Sequence, residues 1–190
     1  MEIKILFGSV ASILTIFSFI PYLLDIFKKK TTPHSYTWLI WSILQTTGTV
    51  AVFTNHGGFG ALGLGIGSLF CVSIFILSLR YGTKNIAPSD LFSLVGALAA
   101  IVIWIFTKNA LYSVILISFI DFMGYIPTYR KGYEEPYSET VSLYFMNLLA
   151  SILAIFALSE YSLTTVLYLA ELFLANSTLV TLLLYRRRRI

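Results

Sequence analysis

Two acidic residues, Asp121 and Glu171, lie inside long apolar segments of the chain. At about 1.5 Å of rise per residue, both are near the middle of a bilayer if their segments cross it as helices. Neither segment carries a Lys or Arg at that depth. A carboxyl group without a partner in a low-dielectric interior is favoured in its neutral form. We therefore expect Asp121 and Glu171 to bind and release protons, and the simpler alternative is that protonated acids hydrogen-bond neighbouring helices.

Side chains able to contact a polar solute lie in the same apolar segments. Asn176, Asn147 and Gln45 carry amides that both donate and accept hydrogen bonds. Trp41 and Tyr144 carry rings that stack on planar ligands. The alternatives are hydrogen bonding between helices for the amides and anchoring at the membrane interface for the rings. These five residues are the predicted solute contacts.

The elements that position these residues are predicted to be membrane helices. The 190 residues are 57% hydrophobic and 12% charged, with a mean hydropathy of +0.84. A soluble domain carries about 25% charged residues, so a soluble enzyme, a nucleic-acid binder and a disordered chain are excluded. The single cysteine, Cys71, excludes a disulfide scaffold. Runs of about 20 apolar residues predict seven spans, at 5–27, 35–54, 59–79, 88–106, 110–129, 140–158 and 163–185.

Orientation follows from the distribution of Lys and Arg between alternate loops. Lys4 and Lys108 lie on one side of the predicted spans, and the other eleven lie on the opposite side. Because cytoplasmic loops are enriched in Lys and Arg, the N-terminus is predicted to be outside and the C-terminus in the cytoplasm. We expect an integral multi-pass protein of a prokaryotic plasma membrane. The cytoplasmic cations are 28–30, 80, 84, 130, 131 and 186–189.

The sequence repeats itself without gaps at an offset of 103 residues. Residues 33–37 (Pro-His-Ser-Tyr-Thr) pair with 136–140 (Pro-Tyr-Ser-Glu-Thr), and Lys28 pairs with Lys131. The pairing predicts an all-α membrane protein of two parallel three-helix repeats, 1–86 and 109–190, joined by an inversion helix at 87–108. Parallel repeats of this kind place a substrate site near the midplane. The alternative is a duplication that only builds a stable bundle.

At the offset of 103, the two acids and Asn176 each pair with a serine in the first repeat. If the repeats are related by an axis along the membrane normal, the paired positions face one central cavity. We therefore include the hydroxyl partners among the predicted solute contacts. The pairs are Ser18 with Asp121, Ser68 with Glu171, and Ser73 with Asn176.

The segments 21–35 and 131–138 resemble the PQ-loop superfamily, which includes the SWEET sugar transporters. In that family a Pro-Gln pair near the cytoplasmic end of the first helix precedes a basic turn and a serine. Tyr22 stands at the glutamine position, and the second half has Gly124 and Tyr125 with its proline at Pro127. The resemblance implies that Asn176 contacts substrate and that Pro21 and Pro127 are hinges. Substrates differ widely within the superfamily.

These features predict a carrier of a small polar solute that works by alternating access, with possible coupling to protons. The alternative is a non-transporting receptor or membrane interaction protein, with the arginines at 186–189 or Glu134 and Glu135 docking a partner. Catalytic motifs are absent and His34 and His56 lie on opposite sides, so we expect no enzyme, cofactor, metal site or nucleic-acid partner. The sequence leaves the solute and the oligomeric state open.

Overall fold

The structure is a computed structural model and describes residues 2–29, 33, 35–82, 88–134, 136–137 and 141–189, leaving out the side chains of 89, 90, 93, 126–128, 130, 131 and 134. The described residues form seven α-helices and one short 3-10 turn, with no strand. This confirms the all-helical fold. The helices are α1 (Glu2–Phe27), α2 (Ser35–Thr54), α3 (Ala61–Tyr81), α4 (Pro88–Thr107), α5 (Ala110–Glu134), α6 (Val141–Ala157) and α7 (Leu163–Arg187).

The distribution of side chains is the reverse of that in a water-soluble bundle. Large apolar residues point outward, including Phe106, Phe92 and Leu69 at 83%, 76% and 69% exposed. Hydroxyl groups are buried, and many bond to the main chain one turn earlier, as when Ser12 donates to the carbonyl of Gly8 at 2.7 Å. An apolar exterior with internally satisfied polar groups is the arrangement that a lipid environment favours.

Three helices are long and apolar enough to cross a membrane: Glu2–Phe27, Gly58–Tyr81 and Leu163–Arg187. They indicate a membrane protein. Shorter apolar stretches cover Leu94–Thr107, Ala110–Tyr125 and Val141–Ala157. The middle of α2 carries a run of polar residues, 45–47 and 49, which lowers its hydropathy.

For the description of packing we call α1–α3 the first helix group and α5–α7 the second helix group. In the first group α3 lies against both α1 and α2, and in the second group α7 lies against both α5 and α6. Among the described residues the main chains of α1 and α2 are not neighbours, and neither are those of α5 and α6, although the Trp38 indole of α2 donates to the Tyr22 hydroxyl of α1 at 3.2 Å. Between the groups, α1 packs on α6 and α2 packs on α5, while α4 contacts α5 and α2. Exchanging the two groups therefore leaves the neighbours among these six helices unchanged, whereas the contacts of α4 do not follow the exchange.

At the sequence offset of 103, three buried residues in the second half of α2 pair with three buried residues of α6, whereas the buried faces of α3 and α7 do not match. Cys71 is 1% exposed, whereas the residue 103 positions later, Leu174, is 61% exposed. An offset of 105 matches buried residues in the third helix of each group, and it pairs Cys71 with Asn176. The other pairs at this offset are Leu64 with Leu169, Ile74 with Leu179 and Ser78 with Leu183.

Hydrogen bonds join the two helix groups at one end of the bundle, which we call the N-terminal end. The turn at 55–60 meets the turn at 158–162, where the amide of Ser159 donates to the carbonyl of Gly57 at 3.0 Å. The amide of Glu160 donates to the carbonyl of His56 at 3.1 Å. Gly58 has a φ of +57°, and a Cβ there would collide with the Ser159 hydroxyl. The close approach of the two turns therefore requires glycine at this position.

The opposite end, which we call the arginine end, is held by contacts within each group. Nε and Nη2 of Arg187 donate to the carbonyl of Pro136 at 3.0 and 2.9 Å. The Arg186 guanidinium donates to the carbonyl of Tyr133 and lies 4.2 Å from the centre of its ring. These bonds fasten the end of α7 to the last turn of α5 and to the segment that follows it.

Candidate functional site

A cavity of about 70 Å³ lies between the two helix groups near the middle of the helices. Pockets for drug-sized ligands measure about 300–1,000 Å³, so this cavity holds only a very small solute or a few waters. A larger molecule would require the groups to move apart. Six helices, all except α4, contribute to the wall. The lining residues are Thr15, Phe19, Gln45, Gly63, Leu64, Gly67, Tyr125, Asn147, Ala150, Ser151, Ala154, Leu169, Leu172 and Asn176.

Asn176 places an unpartnered hydrogen-bond acceptor in the wall of the cavity. Its side chain is 1% exposed, and its Nδ2 donates to the carbonyl of Leu172 at 2.7 Å. Its Oδ1 has no hydrogen-bond partner. A buried acceptor left unsatisfied costs about 1–3 kcal/mol, so a ligand that supplies a donor gains that energy.

The other two predicted amides also line the cavity. Asn147 reaches across the boundary between the groups, because its Oδ1 lies 3.1 Å from the Ser18 hydroxyl. That hydroxyl also donates to the carbonyl of Thr15 at 2.8 Å. Gln45 packs its Oε1 against Gly67, where a Cβ would have no room. The three amides predicted from sequence therefore meet at one place.

The two acidic residues lie beside each other next to the cavity. Asp121 is 3% exposed, and its carboxyl is adjacent to the Glu171 carboxyl, the Tyr168 phenol and the Trp41 indole. Both oxygens of Glu171 are buried and lack a hydrogen-bond partner. The acid pair therefore joins α5 to α7 and, through Trp41, touches α2 of the other group.

Tyr125 connects the acid pair to the cavity. Its side chain lines the cavity wall, and its phenol is within electrostatic range of both Asp121 and Glu171. The acids themselves are not part of the lining in this conformation. A change in the charge of the pair would therefore alter the electrostatic potential at this part of the cavity wall.

The predicted aromatic and serine contacts lie outside the cavity wall. Trp41 packs edge-on against Trp38, with ring centres 5.2 Å apart. Tyr144 is half-buried and near Tyr125. The Ser68 hydroxyl is hydrogen-bonded to that of Thr46 at 2.6 Å.

Ser73 is exposed on α3, and its hydroxyl donates to the carbonyl of Leu69 at 2.7 Å. The structure does not bring it to the cavity. Because the buried faces of α3 and α7 are related by 105 positions, Cys71 occupies the place that matches Asn176.

The predicted hinge prolines lie in α1 and α5. Pro21 is exposed, and α1 continues beyond it to Phe27 although a proline inside a helix removes one main-chain hydrogen bond. Pro127 falls within the range of α5, but its side chain lies outside the described set. His34 and Glu135 also lie outside the described residues.

Two tyrosines at the site were missed in the sequence. Tyr168 precedes Glu171 by three positions, and Tyr125 follows Asp121 by four positions. Both spacings place the phenol on the same helix face as the acid. A search for polar side chains three or four positions from each acid would have identified both tyrosines.

The described residues contain no group of three or more His, Cys, Asp or Glu side chains that could hold a metal ion. Comparison with protein families, curated proteins and solved structures finds no significant match to this chain.

Proposed function

We propose that the chain is a carrier for a small polar solute, in which two helix groups move against each other around the cavity by alternating access. The proposal includes seven membrane spans with the N-terminus outside, a 3+1+3 arrangement with α4 as the inversion helix, and relationship to the PQ-loop and SWEET-like proteins. The neighbours among α1–α3 and α5–α7, which are unchanged when the two groups are exchanged, support the repeat arrangement.

The observation that carries the proposal is the cavity and its polar lining. Amides from α2, α6 and α7 converge there, and one buried acceptor, Asn176 Oδ1, is unpartnered. A bundle needs no such group for stability, since an unsatisfied acceptor opposes folding. A solute site at the boundary between the groups would explain it.

The acid pair supports coupling to protons within the same proposal. Two adjacent carboxyl groups repel one another when both are ionised, so one of them favours binding a proton. Trp41 contacts Asp121 from the other helix group, so relative movement of the groups would change the surroundings of the pair. The pair is therefore positioned to exchange protons as access alternates.

The test is solute flux in proteoliposomes that contain the purified protein. Radiolabelled sugars, amino acids, nucleosides and amines are offered separately, with and without an imposed pH gradient. We expect saturable uptake of at least one class, accelerated by the gradient. Asp121→Asn and Glu171→Gln should each abolish the acceleration, because neither variant side chain can exchange a proton at the site.

Matched controls replace acids outside the site. Glu160→Gln changes an exposed carboxyl at the N-terminal end, and Asp25→Asn changes a half-buried one near the end of α1. Both should leave the pH response unchanged. Unaltered flux in both site variants would contradict proton coupling, and no flux of any solute by the parent protein would contradict the carrier.

The receptor hypothesis makes a different prediction from the same cavity. It expects solute binding without flux, and a partner docked on the arginines at 186–189. Arg186 is held by the last turn of α5 and Arg187 by the segment that follows it, which leaves Arg188 and Arg189 as the exposed members of the run. Binding of a solute that is never transported would favour this alternative.

A further inference from the structure

Building on the proposed carrier, we infer that the cavity selects small solutes that carry a protonated primary amine. The inference rests on the unpartnered acceptor of Asn176, the charge of the cavity's surroundings and its aromatic wall. It concerns the chemical class of the solute, which the carrier proposal leaves open.

The buried polar atoms that lack partners in the described structure are mainly acceptors. They are Asn176 Oδ1, both oxygens of Glu171 and the Ser118 hydroxyl. Among these, Asn176 Oδ1 belongs to a residue that lines the cavity, and no donor of the protein is bonded to it. A primary ammonium group supplies three N–H donors and no acceptor, so it can satisfy this oxygen.

The electrostatic surroundings favour a cation and oppose an anion. No Lys, Arg or His is among the cavity-lining residues, and the nearest ionisable acids are Asp121 and Glu171. An anionic solute would meet no positive charge and would approach two carboxyl groups. Phe19 and Tyr125 form part of the wall, and aromatic faces stabilise an ammonium ion.

The acid pair offers the counter-charge for such a solute. An ammonium ion in the cavity and a proton on the acid pair would both neutralise the same negative charge. Binding of the amine would therefore favour release of a proton from the pair. The titratable groups facing Asp121 are Glu171 and Tyr168 on α7, Cys71 on α3 and Tyr125 on α5, with the indole of Trp41 from α2. None of these is a cation, so a bound ammonium would be the positive charge nearest the pair.

Four small probes of related size separate charge from donor capacity. Ethanolamine has an ammonium group, ethylene glycol is neutral, glycolate is an anion, and choline is a cation without N–H groups. Binding is measured by calorimetry on the full-length protein in lipid nanodiscs, in two buffers of different ionisation enthalpy. We expect ethanolamine to bind about tenfold or more tightly than the other three probes and to release protons.

Two site variants test which atoms recognise the amine. Asn176→Leu removes the unpartnered acceptor at similar volume, so the fold is retained and ethanolamine affinity should fall about tenfold. Glu171→Gln should abolish proton release. Ser73→Ala alters an exposed serine of α3 and should change neither quantity.

The possible outcomes distinguish this inference from the carrier proposal. Tighter binding of ethylene glycol or glycolate than of ethanolamine would overturn the amine class, while the flux assay still decides whether the chain is a carrier. Equal binding of choline and ethanolamine would overturn recognition through N–H donors. Binding of ethanolamine with proton release but without flux would support the inference and contradict the carrier.

Discussion

The two ends of the bundle are held together in different ways. At the N-terminal end, main-chain hydrogen bonds link the turn at 55–60 in the first helix group to the turn at 158–162 in the second. At the arginine end, the hydrogen bonds that involve described residues join segments of the same group, such as Arg187 to Pro136 and Ser35 to the carbonyl of Ser78. The first end fixes the groups to each other, and the second fixes each group internally.

This difference indicates which end opens more easily in the present conformation. Separation at the N-terminal end must break the hydrogen bonds made by Gly57, His56 and Lys4. Each such bond makes a net contribution of about 0.5–1.5 kcal/mol. Separation at the arginine end leaves the described bonds within each group intact. Under the carrier proposal, the conformation is closed at the N-terminal end and is expected to open first at the arginine end.

The strongest test joins the two turns of the N-terminal end covalently. Cysteines at His56 and Glu160, in a Cys71→Ala background, are linked with a short bifunctional thiol reagent. Because alternating access requires these turns to separate, we expect solute flux to fall to the level of empty liposomes and to recover after reduction of a cleavable linker. Flux of the radiolabelled solute is the measurement.

A matched pair at the arginine end supplies the control. Cysteines at Tyr133 and Arg186 lie within the second helix group, so the same linker should leave most of the flux intact. Loss of flux in this pair, or normal flux in the linked His56 and Glu160 pair, would contradict the expectation that the two helix groups separate at the N-terminal end while contacts within each group persist.

A stability change of intermediate size is expected at Gly58. Its φ of +57° is costly for a β-branched residue, and a Cβ would collide with Ser159. Gly58→Val should therefore lower the free energy of unfolding by about 2–3 kcal/mol. Denaturation by SDS in mixed micelles measures the change. Gly124→Ala is the control, since a Cβ at Gly124 meets no atom within 4 Å and should leave stability unchanged or raised.

The sequence predicted the helices well because long apolar runs leave few alternatives to helix in a membrane. It also singled out Asn176, Asn147 and Gln45, because an amide in an apolar segment is costly without a hydrogen-bond partner, and the structure places all three around one cavity. Exposed and buried faces were harder to predict, because both are apolar in a membrane helix. Ser73 was paired with Asn176 for this reason, although the burial of α3 makes Cys71 the matching residue.

The meeting of the two acids could not be predicted from sequence. Asp121 and Glu171 are 50 positions apart, and their proximity depends on the packing of α7 between α5 and α6. Tyr168 escaped notice because a tyrosine in an apolar helix is common. The Tyr168 ring packs directly on Gly48 of α2, where a Cβ would overlap it, and this contact fixes the position of the ring.

A smaller effect is expected from Arg187 at the arginine end. Arg187→Ala removes two hydrogen bonds to Pro136 and the contact with the Tyr137 ring. Because the site is partly exposed, stability should fall by about 1 kcal/mol. Arg188→Ala is the control on an exposed neighbour and should have no measurable effect. Equal losses in both variants would indicate that the arginines act through total charge instead of through these contacts.

The smallest effect is expected from Lys4 at the N-terminal end. Its ammonium group donates to the carbonyl of Ser159 at 3.2 Å and lies 5.6 Å from the centre of the Tyr161 ring. Both contacts are near the surface, so Lys4→Met should lower stability by only about 0.5 kcal/mol in the SDS titration. If the N-terminal end is the closed one, the same variant should speed solute flux slightly, because it removes one bond that joins the two groups. Lys108→Met removes the other cation of this side and should leave the rate unchanged, so equal acceleration by both would assign the effect to surface charge.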